Sequence, residues 1–527
     1  MKRTALTALA AVLLLSAAPM AFAPSAFADD GKMDAADKKD SIDDKIDAAT
    51  ARAPIEEATS VTSHSVQTHS GVVNYKATAG TLTIRDDDGK PVASMFYVAY
   101  TADAKGGSTH RPVTFLYNGG PGSSSIWLHM GSLGPMRVKT GAADHMGSAP
   151  FAFGPNEDTL LDKTDLVFID AIGTGYSRAL GKTDVKTFWG VDQDADAFAK
   201  AISRYISVNG RTNSPKFLFG ESYGTTRSSA LAYNLHQRGV DLNGVVLLSS
   251  WLNTIVNDPG FDLNYVEYIP TYAATAWYHN RLANKPADEA TFLAEVRAWA
   301  AGPYAAALYK GDTISPTEFD AVATQMSAYT GLSVDYIKKS KLRVNLERFR
   351  RELLRDQGRI TGRLDSRYLG QEEDTAGEQT SYDPSDTAIS GAFVGAAGDY
   401  LTNELKFKTN MEYRPSFYKA GEAWDFHHAV IAAGGQKSNE ADVAADLAQT
   451  MRENPHMKVY SLNGWYDMAT PFFETEHDLS HMLLDPAIKA NLTFAYYPSG
   501  HMVYLNPDAL KQMRSDLGRF YDMAAPQ

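Results

Sequence analysis

Five residues near the middle of the chain, Gly220-Glu221-Ser222-Tyr223-Gly224, have the form Gly-x-Ser-x-Gly. In enzymes with this pattern the serine occupies a tight turn between a strand and a helix, where glycines leave room for the neighbouring backbone. An apolar run, residues 216–219, precedes the motif, and small residues typical of a helix follow it. The pentapeptide is short enough to occur at an ordinary strand end, but this context predicts that Ser222 is a nucleophile.

A serine hydroxyl needs a histidine to accept its proton and a carboxylate to orient that histidine. In hydrolases with this serine turn, the acid and the histidine follow the serine in chain order, in loops after later strands. Asp467 follows the strand-like residues 458–463, and His501 follows the strand-like residues 492–498. Because functional groups of open α/β sheets gather at the carboxyl ends of the strands, we predict a catalytic triad of Ser222, Asp467 and His501.

The negatively charged oxygen that forms when a serine attacks a carbonyl needs backbone N–H donors. One donor comes from the residue after the nucleophile, here Tyr223, and the other from a loop after an earlier strand. Residues 117–125, with the sequence Tyr-Asn-Gly-Gly-Pro-Gly-Ser-Ser-Ser, form such a loop after the apolar residues 113–116. A simple tight turn would not explain so much glycine, so we predict that this loop completes an oxyanion hole.

Short and almost continuous apolar runs mark the strands that must position these residues. Such runs are typical of parallel strands buried on both faces. They alternate with helical patterns, which predicts an open α/β sheet covered by helices on both faces. From residue 257 to residue 424 the strand signal fades and helical patterns dominate. We therefore predict a mostly helical insertion, or cap, between two parts of the α/β core, residues 61–256 and 425–527.

The first 28 residues have the organisation of a secretory signal peptide. Lys2 and Arg3 precede an apolar stretch from Ala5 to Ala18, and Ala26-Phe27-Ala28 fits the small-x-small pattern before a cleavage site. Residues 29–60 are rich in charge and alanine, which predicts a flexible leader. We therefore expect export to the periplasm or the extracellular space, without membrane association once the signal peptide is removed.

The composition excludes several classes of function. The 527 residues carry a formal net charge of −13, which disfavours nucleic acids and anionic membranes as partners. The chain contains no cysteine, so disulfides, thiol catalysis and zinc–cysteine sites are excluded. We expect neither a metal nor a cofactor, and the sequence leaves the oligomeric state open.

Four motifs, taken in order, resemble the serine carboxypeptidase family. They are the glycine loop Asn118-Gly-Gly-Pro-Gly, the Gly-Glu-Ser-Tyr-Gly around Ser222, a Gly-x-x-Asp that ends at Asp467, and the Gly-His-Met-Val that contains His501. The resemblance covers roughly residues 70–520. It implies an α/β-hydrolase fold with a helical cap, and removal of C-terminal residues from peptides or proteins through an acyl-enzyme.

The resemblance also implies a role for each matching residue: Ser222 as nucleophile, His501 as general base and Asp467 as the residue that orients it. Five further residues match positions that contact the reacting peptide: Gly120 and Tyr223 at the oxyanion, Asn118 and Glu221 at the terminal carboxylate, and Met502 in the leaving-group pocket. Two adjacent carboxylates repel each other unless they share a proton, so Glu221 is expected to be protonated when it binds substrate.

The sequence departs from the family pattern close to the expected carboxylate-binding residues. Ser132 occupies the position of a glutamate that usually completes this network, and Leu116-Tyr117 replaces the usual Trp-Leu before the glycine loop. Two alternatives therefore stay open. The first is an esterase or acyltransferase with the same triad, which would not require a free C-terminal carboxylate. The second is an inactive binding protein on a hydrolase scaffold, which a fluorophosphonate probe would not label.

Overall fold

The computed structural model describes residues 53–103, 110–257, 260–430 and 434–525. The predicted signal peptide and the predicted leader up to residue 52 lie outside the described residues. Ala53 is buried and the first strand begins at Thr59, so ordered structure begins before residue 61, the predicted start of the core. No helix in the described ranges has the length and apolar character needed to cross a membrane.

The strands are numbered in chain order. Their bounds are β1 Thr59–Thr68, β2 Gly71–Arg85, β3 Pro91–Ala102, β4 Val113–Tyr117, β5 Met136–Val138, β6 Phe153–Pro155, β7 Asp165–Ile169, β8 Arg178–Ala179, β9 Lys216–Ser222, β10 Gly244–Ser250, β11 Ile360–Thr361, β12 Leu369–Gly370, β13 His428–Val430, β14 Gln436–Ser438, β15 Lys458–Gly464 and β16 Leu492–Tyr497. Among the described residues, the main sheet has ten strands, nine of them in the order β1-β2-β3-β7-β4-β9-β10-β15-β16, and β8 pairs with β3. The contiguous strands from β7 to β16 in this order pair in parallel, whereas β1, β2, β3 and β8 pair antiparallel.

The central strands are buried on both faces, as their apolar runs predict. Every residue of β4, β7 and β10 is buried. Successive side chains point to opposite faces of a sheet, so one strand supplies two cores. In β9, Phe217 and Phe219 enter one core while Leu218 enters the other, and in β10 Val246 and Val245 divide in the same way. The mostly parallel sheet with a core on each face confirms the predicted α/β class.

The antiparallel end of the sheet contains strands that continuous apolar runs do not reveal. The turn at Asp88-Gly89 joins β2 to β3, and the N–H of Gly89 donates to the carbonyl of Asp86 at 3.0 Å. Strand β1 was missed, although all ten of its residues pair with β2. Its sequence, Thr-Ser-Val-Thr-Ser-His-Ser-Val-Gln-Thr, is mostly polar, and most of its side chains are exposed or half-buried. The pairing with β2 determines this strand, rather than apolar periodicity.

The α-helices are also numbered in chain order. Their bounds are α1 Ile126–Leu128, α2 Val191–Val208, α3 Tyr223–Gln237, α4 Leu263–Tyr278, α5 Glu289–Trp299, α6 Ala305–Tyr309, α7 Pro316–Thr330, α8 Val334–Lys339, α9 Leu346–Glu352, α10 Pro384–Thr387, α11 Ser390–Asp399, α12 Tyr418–Glu422, α13 Ala444–Glu453, α14 Phe472–Ser480, α15 Pro486–Lys489 and α16 Pro507–Ala524. Between β10 and β15 the chain contains ten of these helices, α4 to α13, in its described ranges, and the strands there have only two or three residues.

Helices α4 to α9 have a hydrophobic core of their own, distinct from the two cores on the faces of the sheet. Tyr466, Met468 and Phe472, from the loop after β15 and the start of α14, join this third core. The loop that carries Asp467 is therefore held between the sheet and these helices. The boundaries of the predicted cap, residues 257 and 424, remain a prediction.

Candidate active site

Ser222 lies where β9 ends and α3 begins, and its backbone has φ 60° and ψ −132°. A positive φ is unfavourable for a residue with a side chain, and such strain often accompanies function. A Cβ atom on Gly220 would lie 2.1 Å from the carbonyl oxygen of Gly224, and one on Gly224 would lie 2.8 Å from that of Tyr117. Close backbone approach thus requires glycine on both sides of Ser222, for the reason that the motif suggests.

The glycine loop after β4 packs directly against the first residues of α3. A Cβ on Gly119 would lie 2.4 Å from the backbone nitrogen of Tyr223, so no other residue fits there. Gly120 has φ +107°, which favours glycine as well. The loop and the N-terminus of α3, where backbone N–H groups lack helical partners, are therefore adjacent. Gly120 and Tyr223, the two predicted oxyanion donors, belong to these two adjoining segments.

Asp467 and His501 form a buried hydrogen-bonded pair. Nδ1 of His501 lies 2.8 Å from Oδ2 of Asp467. The same Oδ2 accepts a hydrogen bond from the Thr470 hydroxyl at 2.8 Å, and Oδ1 accepts from the backbone N–H groups of Ala469 and Thr470. A carboxylate held by this many donors fixes the orientation of the imidazole that it contacts.

The backbone of His501 is held from two sides. Its N–H donates to the carbonyl of Leu364 at 2.6 Å, and its carbonyl accepts from the hydroxyl of Ser249 at 2.7 Å. Ser249, at the end of β10, has φ 53°, so it is a second strained serine at this edge of the sheet. In the sequence, only the place of Ser249 after an apolar run points to this role, and such a place is too common to predict it.

The charges around His501 favour its protonated form. Burial of the ring lowers its pKa, but the nearby carboxyl groups of Asp467 and Glu221 act in the opposite direction and prevail. The pKa of His501 is therefore raised above its ordinary value. An imidazole with a raised pKa is a stronger base towards a serine hydroxyl, provided that it is neutral when the reaction begins.

Glu221 is buried immediately beside Ser222. Burial raises the pKa of its carboxyl group to about 7, although His501, Tyr504 and Asn118 each act to lower it. One carboxyl oxygen, Oε2, has no hydrogen-bond partner among the described residues, and neither has the hydroxyl of Tyr504. Tyr504 and Asn118 thus act on the carboxyl group of Glu221, although Oε2 makes no hydrogen bond of full geometry with either of them.

Asn118 lies across from Glu221 at the end of β4. Its side-chain oxygen accepts a hydrogen bond from the backbone N–H of Leu128 at 2.8 Å, which directs the amide nitrogen away from that contact. Ser132, at the position expected to differ from the family, is fully buried, and its hydroxyl donates to the carbonyl of Leu128. Ser132 therefore uses its donor within its own helical segment.

Arg227 is a buried supporting residue that the sequence analysis missed. Its Nη1 donates to the carbonyl of Asn118 at 2.7 Å, and its Nε lies 2.6 Å from Oδ2 of Asp194. The guanidinium carbon also lies 4.3 Å from the centre of the Phe198 ring. A charge buried this deeply is stable only when paired, so Asp194 and Arg227 together support the backbone at the start of the glycine loop.

A cavity of about 580 Å³ opens beside Ser222. Six of the eight predicted site residues line it, namely Asn118, Gly120, Glu221, Ser222, His501 and Met502. The other two, Asp467 and Tyr223, lie behind this wall, Asp467 in contact with His501 and Tyr223 in the backbone next to Ser222. Residues of the helical region also line the cavity, among them Tyr268 and Arg363.

The mostly parallel sheet, the serine turn after β9 and the helices on both faces define an α/β-hydrolase. The solved structure of KEX1(delta)p, a prohormone-processing carboxypeptidase from Saccharomyces cerevisiae, has a similar fold, with a TM-score of 0.52 at 16% identity over 85% of this chain and 91% of that one. A family model described as serine carboxypeptidase, peptidase S10, matches residues 67–503. The chain therefore belongs to the serine carboxypeptidase family.

Curated relatives match over a shorter stretch. Serine carboxypeptidase-like 51 of Arabidopsis thaliana is 27% identical over 174 residues, which are 31% of this chain and 35% of that protein. Pheromone-processing carboxypeptidase KEX1 of Yarrowia lipolytica is 28% identical over 165 residues, 31% of this chain and 24% of that protein. The alignments thus span about a third or less of the length of these relatives.

Proposed function

We propose that this protein is a serine carboxypeptidase in which Ser222, His501 and Asp467 form the catalytic triad. The observation that carries the proposal is the coincidence of three features at one edge of the sheet. Ser222 is held in a strained turn beside a cavity, His501 lines the same cavity, and a buried carboxylate holds His501 at 2.8 Å. Membership of the serine carboxypeptidase family supports this assignment.

The proposed reaction follows from these positions. His501 accepts the proton of the Ser222 hydroxyl, and the serine oxygen attacks the carbonyl carbon of the last peptide bond. The N–H groups of Gly120 and Tyr223 stabilise the negative charge on the carbonyl oxygen. His501 then donates its proton to the leaving amine, which departs as the C-terminal amino acid. Water, activated by His501, hydrolyses the acyl-enzyme and restores Ser222.

We propose that Asn118 and Glu221 bind the terminal carboxylate of the substrate. A protonated Glu221 donates a hydrogen bond to that carboxylate, and the pKa of about 7 permits this form at neutral and acid pH. Tyr504 lies beside Glu221 and acts to lower the pKa of its carboxyl group. In this arrangement Met502 lines the pocket of the departing residue, and the partners of the protein are the C-termini of peptides or proteins.

An esterase or acyltransferase is the second candidate, and the contact made by Ser132 favours it. The hydroxyl of Ser132 donates to Leu128, so this position supplies no group to a bound carboxylate. Cleavage of C-terminally amidated peptides as fast as of the free acids would support this candidate. Cleavage that requires the free carboxylate would support the carboxypeptidase.

The proposal is tested by the Ser222→Ala variant. We expect a folded protein whose hydrolysis of blocked dipeptides falls by roughly 10⁴- to 10⁶-fold, as removal of a triad residue does in other serine hydrolases. The wild type should react with a fluorophosphonate probe, and the variant should not. Near-normal hydrolysis by Ser222→Ala would refute the triad, and a wild type that the probe does not label would indicate an inactive binding protein.

The proposal also includes export of the protein. The charged start, the apolar stretch and Ala26-Phe27-Ala28 support a signal peptide that is cleaved after residue 28. N-terminal sequencing of the protein recovered from outside the cytoplasm tests this part. A mature chain that still begins at residue 1 would contradict it. We further propose that residues 257–424 form the cap over the site.

A further inference from the structure

Glu474 is a second buried glutamate in the wall of the cavity, and the proposed reaction does not use it. It lies in the first turn of α14, lines the cavity and is only 3% exposed. Its Oε1 atom has no hydrogen-bond partner among the described residues. A buried acceptor without a donor costs free energy, so a carboxyl group in a cavity wall with an unpaired oxygen is suited to accept a donor from a ligand.

Two further acids lie next to Glu474, Glu267 on α4 and Asp478 one turn later on α14. Each is buried, and each has a carboxyl oxygen without a hydrogen-bond partner in the described ranges. His477 lies at the edge of this group, with Nδ1 3.5 Å from Glu267 and 3.4 Å from Asp478. We call Glu267, Glu474 and Asp478 the acid cluster.

The charged neighbours that shift the pKa of Glu474 are acids. Burial, followed by the repulsion from Glu267, Asp478 and Asp467, raises its pKa well above the ordinary value. Across the described ranges, no group of histidines, cysteines and acids has an arrangement that could hold a metal ion.

The surroundings of Glu474 suit a long side chain with a positive end. Tyr268, whose ring belongs to the helical region, and Trp251, after β10, line the same cavity. Lysine and arginine carry apolar stems that pack on aromatic rings, while their charged ends supply hydrogen-bond donors. Such an end replaces the proton that buried carboxyl groups otherwise retain.

Glu474 and Glu221 reach the cavity from different elements of the fold. Glu221 lies in β9, which pairs with β4 and so places it near Asn118, whereas Glu474 lies on α14, which packs against α4 of the helical region. If Glu221 binds the terminal carboxylate, the residue that leaves lies on its side of Ser222. The pocket at Glu474 then receives the residue on the other side of the scissile bond.

We propose that the acid cluster, through Glu474, binds the cationic side chain of a lysine or arginine that precedes the scissile bond. This specificity rests on the proposed carboxypeptidase function, since it concerns the same cavity and the same acyl-enzyme. The protein would then act on peptides whose penultimate residue is basic.

The first test compares blocked dipeptides that end in leucine and differ only in the penultimate residue. Lysine and norleucine have stems of the same length, but only lysine carries an ammonium group. We expect the wild type to hydrolyse the lysine substrate with a kcat/KM about 10- to 100-fold higher than the norleucine substrate, the range for a charge-assisted hydrogen bond. The same comparison at the last residue should show no such preference.

The second test uses the Glu474→Gln variant, which keeps the size of the side chain and removes its charge. We expect the preference for lysine over norleucine to disappear, with hydrolysis of the norleucine substrate preserved. Glu476→Gln is the matched control, because Glu476 lies on the same helix but pairs with Arg297 at 3.0 Å and does not line the cavity. This control should keep the preference of the wild type.

The outcomes separate this inference from the proposed function. Equal hydrolysis of lysine and norleucine substrates by the wild type would overturn the inference and leave the carboxypeptidase intact, and it needs no variant to fold. A preference that persists in Glu474→Gln would also overturn it. If the wild type hydrolyses neither substrate and the probe does not label Ser222, the proposed function itself fails, and the inference with it.

Discussion

The two buried glutamates of the cavity, Glu221 and Glu474, differ in their neighbours rather than in their burial. Burial raises the pKa of both carboxyl groups. Beside Glu221, His501, Tyr504 and Asn118 offset part of this effect, and the pKa is about 7. Beside Glu474, the interacting groups are acidic and raise the pKa further. Burial alone therefore does not assign a role to a carboxyl group. The groups around the carboxyl group determine which ligand it can bind.

Asp467 helps to raise the pKa values of both glutamates, and its replacement should cause the largest loss of activity. In Asp467→Asn the imidazole of His501 loses the acceptor that fixes its tautomer, so we expect kcat to fall by roughly 10³- to 10⁴-fold. Steady-state kinetics should show the same fold loss for free-acid peptides, esters, and substrates with or without penultimate lysine. A loss confined to one of these classes would mean that Asp467 acts through one glutamate rather than through His501.

Glu221→Gln should change the binding of the terminal carboxylate without changing the pocket at Glu474. If Glu221 binds the terminal carboxylate as proposed, its ionisation as the pH rises through about 7 should repel that carboxylate, so KM for free-acid peptides should increase on the alkaline side. The glutamine amide remains a donor at every pH, so the variant should lose this alkaline increase. Ester substrates without a carboxylate should show no alkaline increase in either protein. A wild-type pH profile in the variant would assign Glu221 a structural role only.

The acid side of the same profiles provides an internal control. His501 must be neutral to accept the proton of Ser222, so activity falls as the pH drops through its pKa. The charge of ionised Glu221 helps to raise that pKa. On the acid side, however, Glu221 is protonated and carries no charge, so Glu221→Gln should leave the acid limb unchanged for peptides and esters alike. The preference for penultimate lysine should not change, since it depends on Glu474.

The pH dependence of the unfolding free energy tests the direction of the Glu221 pKa shift independently of catalysis. Its folded pKa of about 7 lies above the unfolded value of 4.5, so its contribution to stability is fully present below pH 4.5 and is lost as the pH rises through about 7. Relative to Glu221→Gln, the wild type should lose on the order of 3 kcal/mol of unfolding free energy between these pH values. Denaturant titrations of both proteins from pH 4 to pH 8 measure this difference, and parallel curves would contradict it.

Ser132→Ala should have the smallest effect. Its hydroxyl donates to the carbonyl of Leu128 and not to a group in the cavity. We expect loss of that hydrogen bond to lower the unfolding free energy by about 1 kcal/mol, with kcat/KM for free-acid and amidated peptides unchanged. A selective loss for free-acid peptides would mean that Ser132 does contribute to carboxylate binding, as the family glutamate does.

The sheet was predictable where buried parallel strands produce continuous apolar runs, as in β4, β7, β9 and β10. Strand β1 was not, because its polar sequence carries no such signal and its pairing with β2 determines it. Helices between β10 and β15 could be expected from helical periodicity, but the sequence could not align them with the site. No local sequence pattern therefore predicts that Tyr268 and Arg363 line the cavity.

The candidate residues around Ser222 likewise include some that the sequence reveals and some that only the structure reveals. Glycines at 220 and 224 are visible in the sequence because a strained turn tolerates no side chain there, and Asp467 and His501 follow strands in the expected order. Supporting residues such as Ser249 and Arg227 are not visible. A serine after a strand and an arginine in a helix are common, and only their contacts with His501 and Asn118 give them a role.

Local periodicity and the steric demands of a short turn are enough to predict the α/β class, the Gly-x-Ser-x-Gly turn and the order of the three proposed triad residues. Only the folded chain shows that Glu474 lies in the wall of the same cavity as Ser222, next to Glu267 from a helix of another region. The physical reason is that the pKa and the unpaired acceptors of a buried acid depend on through-space neighbours, and residues 267 and 474 become neighbours only when the chain folds.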